Sequence, residues 1–303
     1  MVAERAARVE RAVALATERR DRLLCIVGPT ATGKTELALD VCERTNGEII
    51  SADSVQIYRG FDVGSGKPSR EERARAPHHV IDVLEPQEAA DAMTFARLAD
   101  AAISDVRARG KLPILCGGTF FWVRALVLGL APAPSADEAI RARHRAIVAE
   151  SGVNVLHEQL LRVDPASAAR LHPNDVLRVS RALEVHELSG RPMSEHQAEH
   201  GFKEPRMESA MVGVALAPEA LTERITRRVE GWLASGWVEE VEALVAAGHG
   251  GSRAMGSVGY AEVRAHVQGE LPRDKLAELI VRSTRTFARK QRTWLRSVPI
   301  AWL

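Results

Sequence analysis

The clearest chemistry lies in eight consecutive residues. Gly28-Pro29-Thr30-Ala31-Thr32-Gly33-Lys34-Thr35 has the spacing G-x-x-x-x-G-K-[ST]. Its glycines let the backbone wrap closely around phosphate oxygens, so that several N–H groups converge on the anion at a helix N-terminus. Lys34 adds a point charge, and the Thr35 hydroxyl can hold Mg²⁺. The motif predicts binding of a di- or triphosphate. It leaves open whether phosphate is transferred or departs.

Asp53, in Ser51-Ala52-Asp53-Ser54-Val55-Gln56, is the next candidate. A carboxylate placed after a strand can point into the crevice where α/β folds bind ligands. It could act as a general base or a magnesium ligand. Asp53-x-x-Gln56 is equally a capping-box pattern, so a purely local role stays open. Further cations follow. Arg224 and Arg228 are four apart and share a helical face. Arg282, Arg285, Arg289, Arg292 and Arg296 recur at helical spacing, within an arc of about 80°. No acidic residue interrupts 282–296, whereas a merely solvated helix interleaves both signs. This stripe is read as a contact for a phosphate backbone. Ile280, Phe287 and Trp294 fall nearly opposite and are expected to anchor the helix to the core.

The elements that must carry these residues are legible from apolar runs. Residues 23–27, 48–52, 80–83 and 113–116 read as buried strands. Helical stretches cover about 34–44, 94–109 and 119–128 between them. Strands alternating with helices imply a parallel sheet covered on both faces. Ala131-Pro132-Ala133-Pro134-Ser135 then breaks the pattern. From about 135 to 200 the periodicity is helical. A core strand is expected at 211–216, long helices at about 218–247 and 273–297, and a short strand within 298–303. The fold class is therefore α/β. A P-loop NTPase-like parallel core (1–132 and 206–303) is interrupted by an all-helical insertion (133–205).

The ordered set of motifs resembles the tRNA dimethylallyltransferase (tRNA isopentenyltransferase) family. The residues carrying it are Gly28–Thr35, Ile50–Tyr58, Asp62–Pro68, His78–Asp82, Gly117–Thr119, His172–Asp175, Arg178–Glu184, Val258–Tyr260 and Lys290–Arg296. Two stretches depart from the family pattern. Phe120-Phe121-Trp122 replaces a segment that usually includes a tyrosine, and Ser65-Gly66 replaces the usual threonine and alanine. Packing near the isoprenoid is expected to differ there.

The resemblance implies transfer of a dimethylallyl group from dimethylallyl diphosphate to the exocyclic amine of the tRNA adenosine at position 37, just 3′ of the anticodon. The P-loop would hold the leaving diphosphate with Mg²⁺, and ATP would not be hydrolysed. Asp53, Thr35 and Arg228 take the catalytic positions. Contacts to tRNA are implied at Asp53, Ser54, Val55, Gln56, Thr119, Arg141, Leu177, Arg178, Val179, Ser180 and Arg181. They are implied too at Gly256, Ser257, Val258, Gly259, Tyr260, Arg289, Lys290, Gln291, Arg292, Trp294 and Arg296.

Composition is that of an ordinary globular chain. The chain has 303 residues, 46% hydrophobic and 27% charged, with a net charge of +1. That excludes a disordered, collagen-like or rod-like chain. No apolar run is long enough to span a membrane. Residues 1–20 mix Arg with Glu and lack a secretory apolar core, so a short amphipathic helix is expected there. Cys25, Cys42 and Cys116 are too few and scattered for a disulfide framework, and a reducing cytoplasm is expected. The six histidines of the insertion show no metal-ligand spacing. A monomer is expected. Three competing readings share the core: a small-molecule kinase, an NTP-gated RNA-binding protein, and a prenyltransferase acting on free adenine nucleotides. The kinase leaves the arginine stripe unexplained.

Overall fold

The computed structural model describes residues 2–202, 204–296 and 298–303. Six strands form one sheet: β1 (Leu23–Val27), β2 (Gly47–Ala52), β3 (His78–His79), β4 (Leu112–Gly117), β5 (Ser209–Gly213) and β6 (Ala301–Trp302). Their order is β3-β2-β4-β1-β5-β6, and every pair is parallel. β1, β2 and β4 are buried along their whole lengths. That is why they read as continuous apolar runs, as expected where helices cover both faces. Val27 pairs with Gly117 and Gly213, and Ala52 with Gly117, so the chain leaves four strands at one edge. Ligands of open parallel sheets bind at that edge.

The helices are α1 (Val2–Glu18), α2 (Lys34–Thr45), α3 (Arg70–Arg75), α4 (Ala92–Ala108), α5 (Phe120–Leu128), α6 (Glu138–Ser151), α7 (Val153–Val163), α8 (Pro165–Ala168), α9 (Val176–Ser189), α10 (Met193–His200), α11 (Pro218–Ala234), α12 (Trp237–Ala246), α13 (Tyr260–Val267) and α14 (Arg273–Leu295). The chain divides into two compact units, 1–127 with 206–303, and 128–205. The second is helical, around Leu156, Leu160, Ala168, Val179, Ala182 and Leu183. Its helix α9 is capped by Asp175, whose carboxylate accepts the Arg178 N–H. No described helix is long and apolar enough to cross a membrane.

Four sequence expectations need correction. The strand expected at 80–83 is absent, because Val80 and Asp82 adopt left-handed backbone with φ of 62° and 57°. Val80 and Ile81 are buried, so the apolar signal is genuine. The chain turns there to present Asp82 to Lys67 Nζ and Arg73 Nη2, at 2.5 and 3.0 Å. The helix expected at 218–247 breaks at Ser235-Gly236, where Gly236 has φ 94° and starts α12. The strand expected at 211–216 is β5, two residues earlier. Finally, α14 buries Leu276, Ile280, Thr284, Ala288, Gln291 and Leu295. Phe287 and Trp294, expected to face the core, stay about 40% exposed, and Phe287 borders an open cleft.

Trp237 sits in a tightly fitted aromatic cluster. Its ring meets Trp232 and Tyr260 edge-on, both with centroids 5.5 Å apart, and Phe61 packs on Tyr260 at 5.0 Å. Space for the indole comes from Gly64, where an added Cβ would lie 1.9 Å from Trp237 Nε1. Gly64→Ala is therefore expected to destabilise the protein by about 1–3 kcal/mol through overpacking. Gly231→Ala, at an exposed helix position with nothing near its would-be Cβ, is expected to stabilise by about 0.5–1 kcal/mol. Urea unfolding midpoints of the two variants should move in opposite directions. A common direction would mean that Trp237 readjusts freely.

Candidate active site

The phosphate loop joins β1 to α2. Gly33, with φ 97°, is the residue before α2, which therefore starts at Lys34. At Gly28 a Cβ would lie 2.5 Å from the Val214 carbonyl oxygen, so the loop can leave the sheet here only without a side chain. Lys34 Nζ donates to the Pro29 carbonyl at 2.6 Å. Burial pulls the Lys34 ammonium down to about 8; the positive charge of Arg228 adds to this, while Cys116 and Asp53 oppose it. Arg228 reaches the loop from α11, with Nη2 donating to Thr30 Oγ1 at 2.5 Å. Its guanidinium lies over the Trp232 ring, 4.4 Å from the centroid. Burial lowers Arg228 to about 10, against the opposing charge of Asp53. Its buried Nε has no hydrogen-bond partner among the described residues. Arg224 Nη1 approaches the Thr32 carbonyl at 3.5 Å.

Asp53 follows β2 at the same edge. Its Oδ1 accepts the N–H groups of Val55 and Gln56 at 2.9 and 3.2 Å. No helix follows, so the capping pattern closes a turn. The turn is held from the β4 side, where Thr119 Oγ1 accepts the Ser54 N–H at 3.1 Å. Gln56 is held in place as well. Its Oε1 accepts the Ser51 hydroxyl, and its Nε2 donates to the carbonyls of Ser65 and Gly66.

A cleft of about 970 Å³ runs over this edge. It brings together Thr30, Lys34, Thr35, Asp53, Ser54, Val55, Gln56, Thr119, Arg228, Gly256, Ser257 and Val258, all singled out by sequence. Thr35 lines it with no hydrogen bond to its hydroxyl among the described residues. No group of three or more His, Cys, Asp or Glu side chains could cage a metal among the described residues. Magnesium does not require such a cage. It keeps several waters and binds through one or two protein oxygens plus substrate phosphates.

A family model described as IPP transferase matches residues 56–298, and one described as isopentenyl transferase matches 21–82. The chain belongs to the IPP transferase family. It is 59% identical to a tRNA dimethylallyltransferase of Sorangium cellulosum, over 93% of this chain and 90% of that one. It is 44% identical to the tRNA dimethylallyltransferase of Geobacter sulfurreducens, over 94% and 92%. Among solved structures it is similar to the tRNA isopentenylpyrophosphate transferase of Bacillus halodurans, with 35% identity and a TM-score of 0.68 over 93% and 89% of the two chains. A eukaryotic dimethylallyltransferase solved acting on tRNA aligns at 25% identity with a TM-score of 0.77, over 93% and 73%.

Several residues placed by the family pattern at the RNA have buried side chains in this member, two of which, Tyr260 and Gln291, also line the cleft. Val179 is core, and Ser180 is buried with its hydroxyl bonded to His144 Nδ1. Tyr260 is buried and donates its hydroxyl to Glu240. Gln291 is buried with both ends of its amide used. Leu177, 85% exposed, and Arg178 face outward. Arg141 and Arg181 both bind the fully buried Glu184, a residue with no role assigned from sequence. Burial alone would raise the Glu184 pKa; the two arginines outweigh it and hold the carboxyl below its usual range.

The two departures from the family pattern have separate explanations. Trp122 lies in the core, stacked on Phe95 at 4.7 Å, and does not line the cleft. At Gly66, with φ 62°, a Cβ would come within 2.7 Å of Trp232, so this glycine lets the ring under Arg228 sit close. The exposed arginines 285, 289 and 292 border a small hollow behind the phosphate loop, with Pro29 and Leu216 in its wall.

Lys34 gives the site a pH signature. A diphosphate analogue whose last ionisation lies below about pH 7 should bind with constant affinity up to about pH 8. Above that its affinity should fall, approaching about tenfold per unit, because the deprotonated amine no longer attracts the anion. Calorimetric titration checks this, and Lys34→Met should bind weakly at every pH with no such fall. An unchanged profile in Lys34→Met would assign the titration to another group.

Proposed function

We propose that this protein is a tRNA dimethylallyltransferase that moves a dimethylallyl group onto the exocyclic amine of the adenosine at position 37 and releases diphosphate. The observation that carries the reading is one cleft holding a phosphate loop with two half-buried cations and, at the end of β2, a carboxylate fixed by a turn. Attack by the amine on the allylic carbon breaks the bond to diphosphate oxygen. Charge then builds on the departing oxygens, where backbone N–H groups, Lys34 and Arg228 stabilise it. An adenine amine is a weak nucleophile, since its lone pair is delocalised into the ring. Asp53 accepts its proton through the oxygen that the turn leaves uncommitted. Thr35 would hold Mg²⁺ against the diphosphate, and the metal would add positive charge to the leaving group.

The target base must leave its stack to reach Asp53. The α14 arginines supply backbone contacts for the tRNA, with Leu177 and Arg178 of the helical unit as further contacts. The chain would act as a monomer. Its buried free cysteines fit the cytoplasm.

Incubation with Mg²⁺, dimethylallyl diphosphate and unmodified tRNA, without ATP, should add one C5H8 unit to an adenosine beside the anticodon, read by mass spectrometry of digested RNA. ATP turnover on a small-molecule panel with no RNA product would move the protein to the kinases. In the same assay Asp53→Asn should keep the turn and the tRNA affinity while lowering single-turnover transfer by about 10²–10⁴-fold. Full activity of that variant would remove Asp53 from proton transfer.

Replacing Arg285, Arg289 and Arg292 together with Ala should reduce the slope of log affinity against log salt by about 0.7–0.9 for each phosphate no longer neutralised. Filter binding across a salt series measures it. An unaltered slope would take the stripe off the RNA.

A further inference from the structure

Helix α14 has two faces with different work. One carries Arg282, Arg285, Arg289, Arg292 and Arg296, all exposed. The opposite face turns Gln291 into the cleft wall. The Gln291 Oε1 accepts the backbone N–H of Thr30 at 2.9 Å. Its Nε2 donates to the Gly118 carbonyl at 2.8 Å. A Cβ at Gly118 would lie 2.6 Å from that nitrogen, so the loop after β4 is shaped to receive it.

Both partners lead directly to reacting groups. Thr30 belongs to the phosphate loop, and its hydroxyl accepts the hydrogen bond from Arg228. Gly118 precedes Thr119, whose hydroxyl fixes Ser54 beside Asp53 and whose N–H donates to the Ala52 carbonyl. One planar head, an acceptor on one side and a donor on the other, thus spans the diphosphate loop and the loop that holds the Asp53 turn. Among side chains of this length only a glutamine offers that pair. A glutamate keeps the acceptor and loses the donor; a methionine keeps the volume and loses both.

We propose that Gln291 is a positioning residue that couples the arginine-bearing face of α14 to the diphosphate site, so that tRNA and the prenyl diphosphate strengthen each other's binding. This rests on the reading of the site as a tRNA prenyltransferase. RNA phosphates engaged along one face of α14 hold the helix; through Gln291 the same helix holds the phosphate loop and the Asp53 turn in register. Such coupling is reciprocal, and factors of about 5–150 are usual between linked sites.

The test is a thermodynamic cycle. Affinity for a non-reactive thio-analogue of dimethylallyl diphosphate is measured with and without saturating tRNA, for wild type, Gln291→Met and Gln291→Glu. In wild type tRNA should tighten the analogue by at least about fivefold. In both variants the factor should fall toward one while tRNA affinity and the α14 salt slope stay near wild type. A merely structural role would lower both affinities and leave their ratio intact. Gln291→Glu adds a charge near the anion, which weakens the analogue in both arms and cancels in the ratio. Should Gln291→Met fail to fold, the near-isosteric Gln291→Glu carries the test alone. A wild-type factor of one, or an undiminished factor in Gln291→Glu, overturns the proposal. If wild type transfers no prenyl group to tRNA, the functional reading fails instead, which the mass-spectrometric assay reports independently.

Discussion

Two cations, Lys34 and Arg228, are half-buried at one end of the cleft, and the protein sets no carboxylate in ion-pair contact with either among the described residues. Burying a charge without a counter-ion is unfavourable, and both groups answer by losing proton affinity. The fold accepts that cost by fixing both side chains with neutral partners. Lys34 is held by a backbone carbonyl, and Arg228 by a threonine hydroxyl and an indole face. Neutral partners hold geometry without neutralising charge. A site built this way stays electropositive until an anion enters.

The position of Asp53 follows from the same constraint. Direct pairing of its carboxylate with Arg228 would satisfy both charges, but it would leave a neutralised cation beside the phosphate loop. Instead the turn after β2 ties one carboxylate oxygen to two backbone N–H groups. The parallel sheet is what makes this separation possible. β2 and β1 end at the same edge but are not neighbours, since β4 runs between them. The loops they launch therefore face each other across the width of one strand. The loop after β4 fills that gap, and Thr119 and Gly118 brace the two sides from within it.

What the sequence made legible follows the range of each interaction. β1, β2 and β4 are apolar at nearly every position because both sheet faces are covered, so local pattern reports them faithfully. The phosphate loop is equally local: its eight residues carry their own geometry. Residues 80–83 show the failure of the same rule, since Val80 and Ile81 are buried by a turn that exists to deliver Asp82 to Lys67 and Arg73. An apolar run records burial, and burial is not specific to strands. The break at Gly236 is hidden for a similar reason, because one glycine in a helical pattern is tolerated elsewhere. Phe287 looked like an anchor by its angle on the helix wheel, but the wheel cannot know that a cleft lies on that side.

Gln291 marks the outer limit of such reasoning. Its neighbours in the motif are arginines, a lysine and a tryptophan, and by composition it belongs with them at the surface. Its partners lie 261 and 173 residues away in the chain. No periodicity can announce contacts of that separation, although helical phase does place Gln291 opposite the arginines, on the side that must meet the core. Helical phase therefore carries more information than motif membership does. Within one short stretch of α14 it separates the exposed arginines from the residue that holds the phosphate loop. The same separation appears in α9, where Leu177 and Arg178 face out while Val179 and Ser180 belong to the core. In both helices a contiguous motif is divided between two faces, because adjacent helical residues point about 100° apart whereas residues three to four apart share a face.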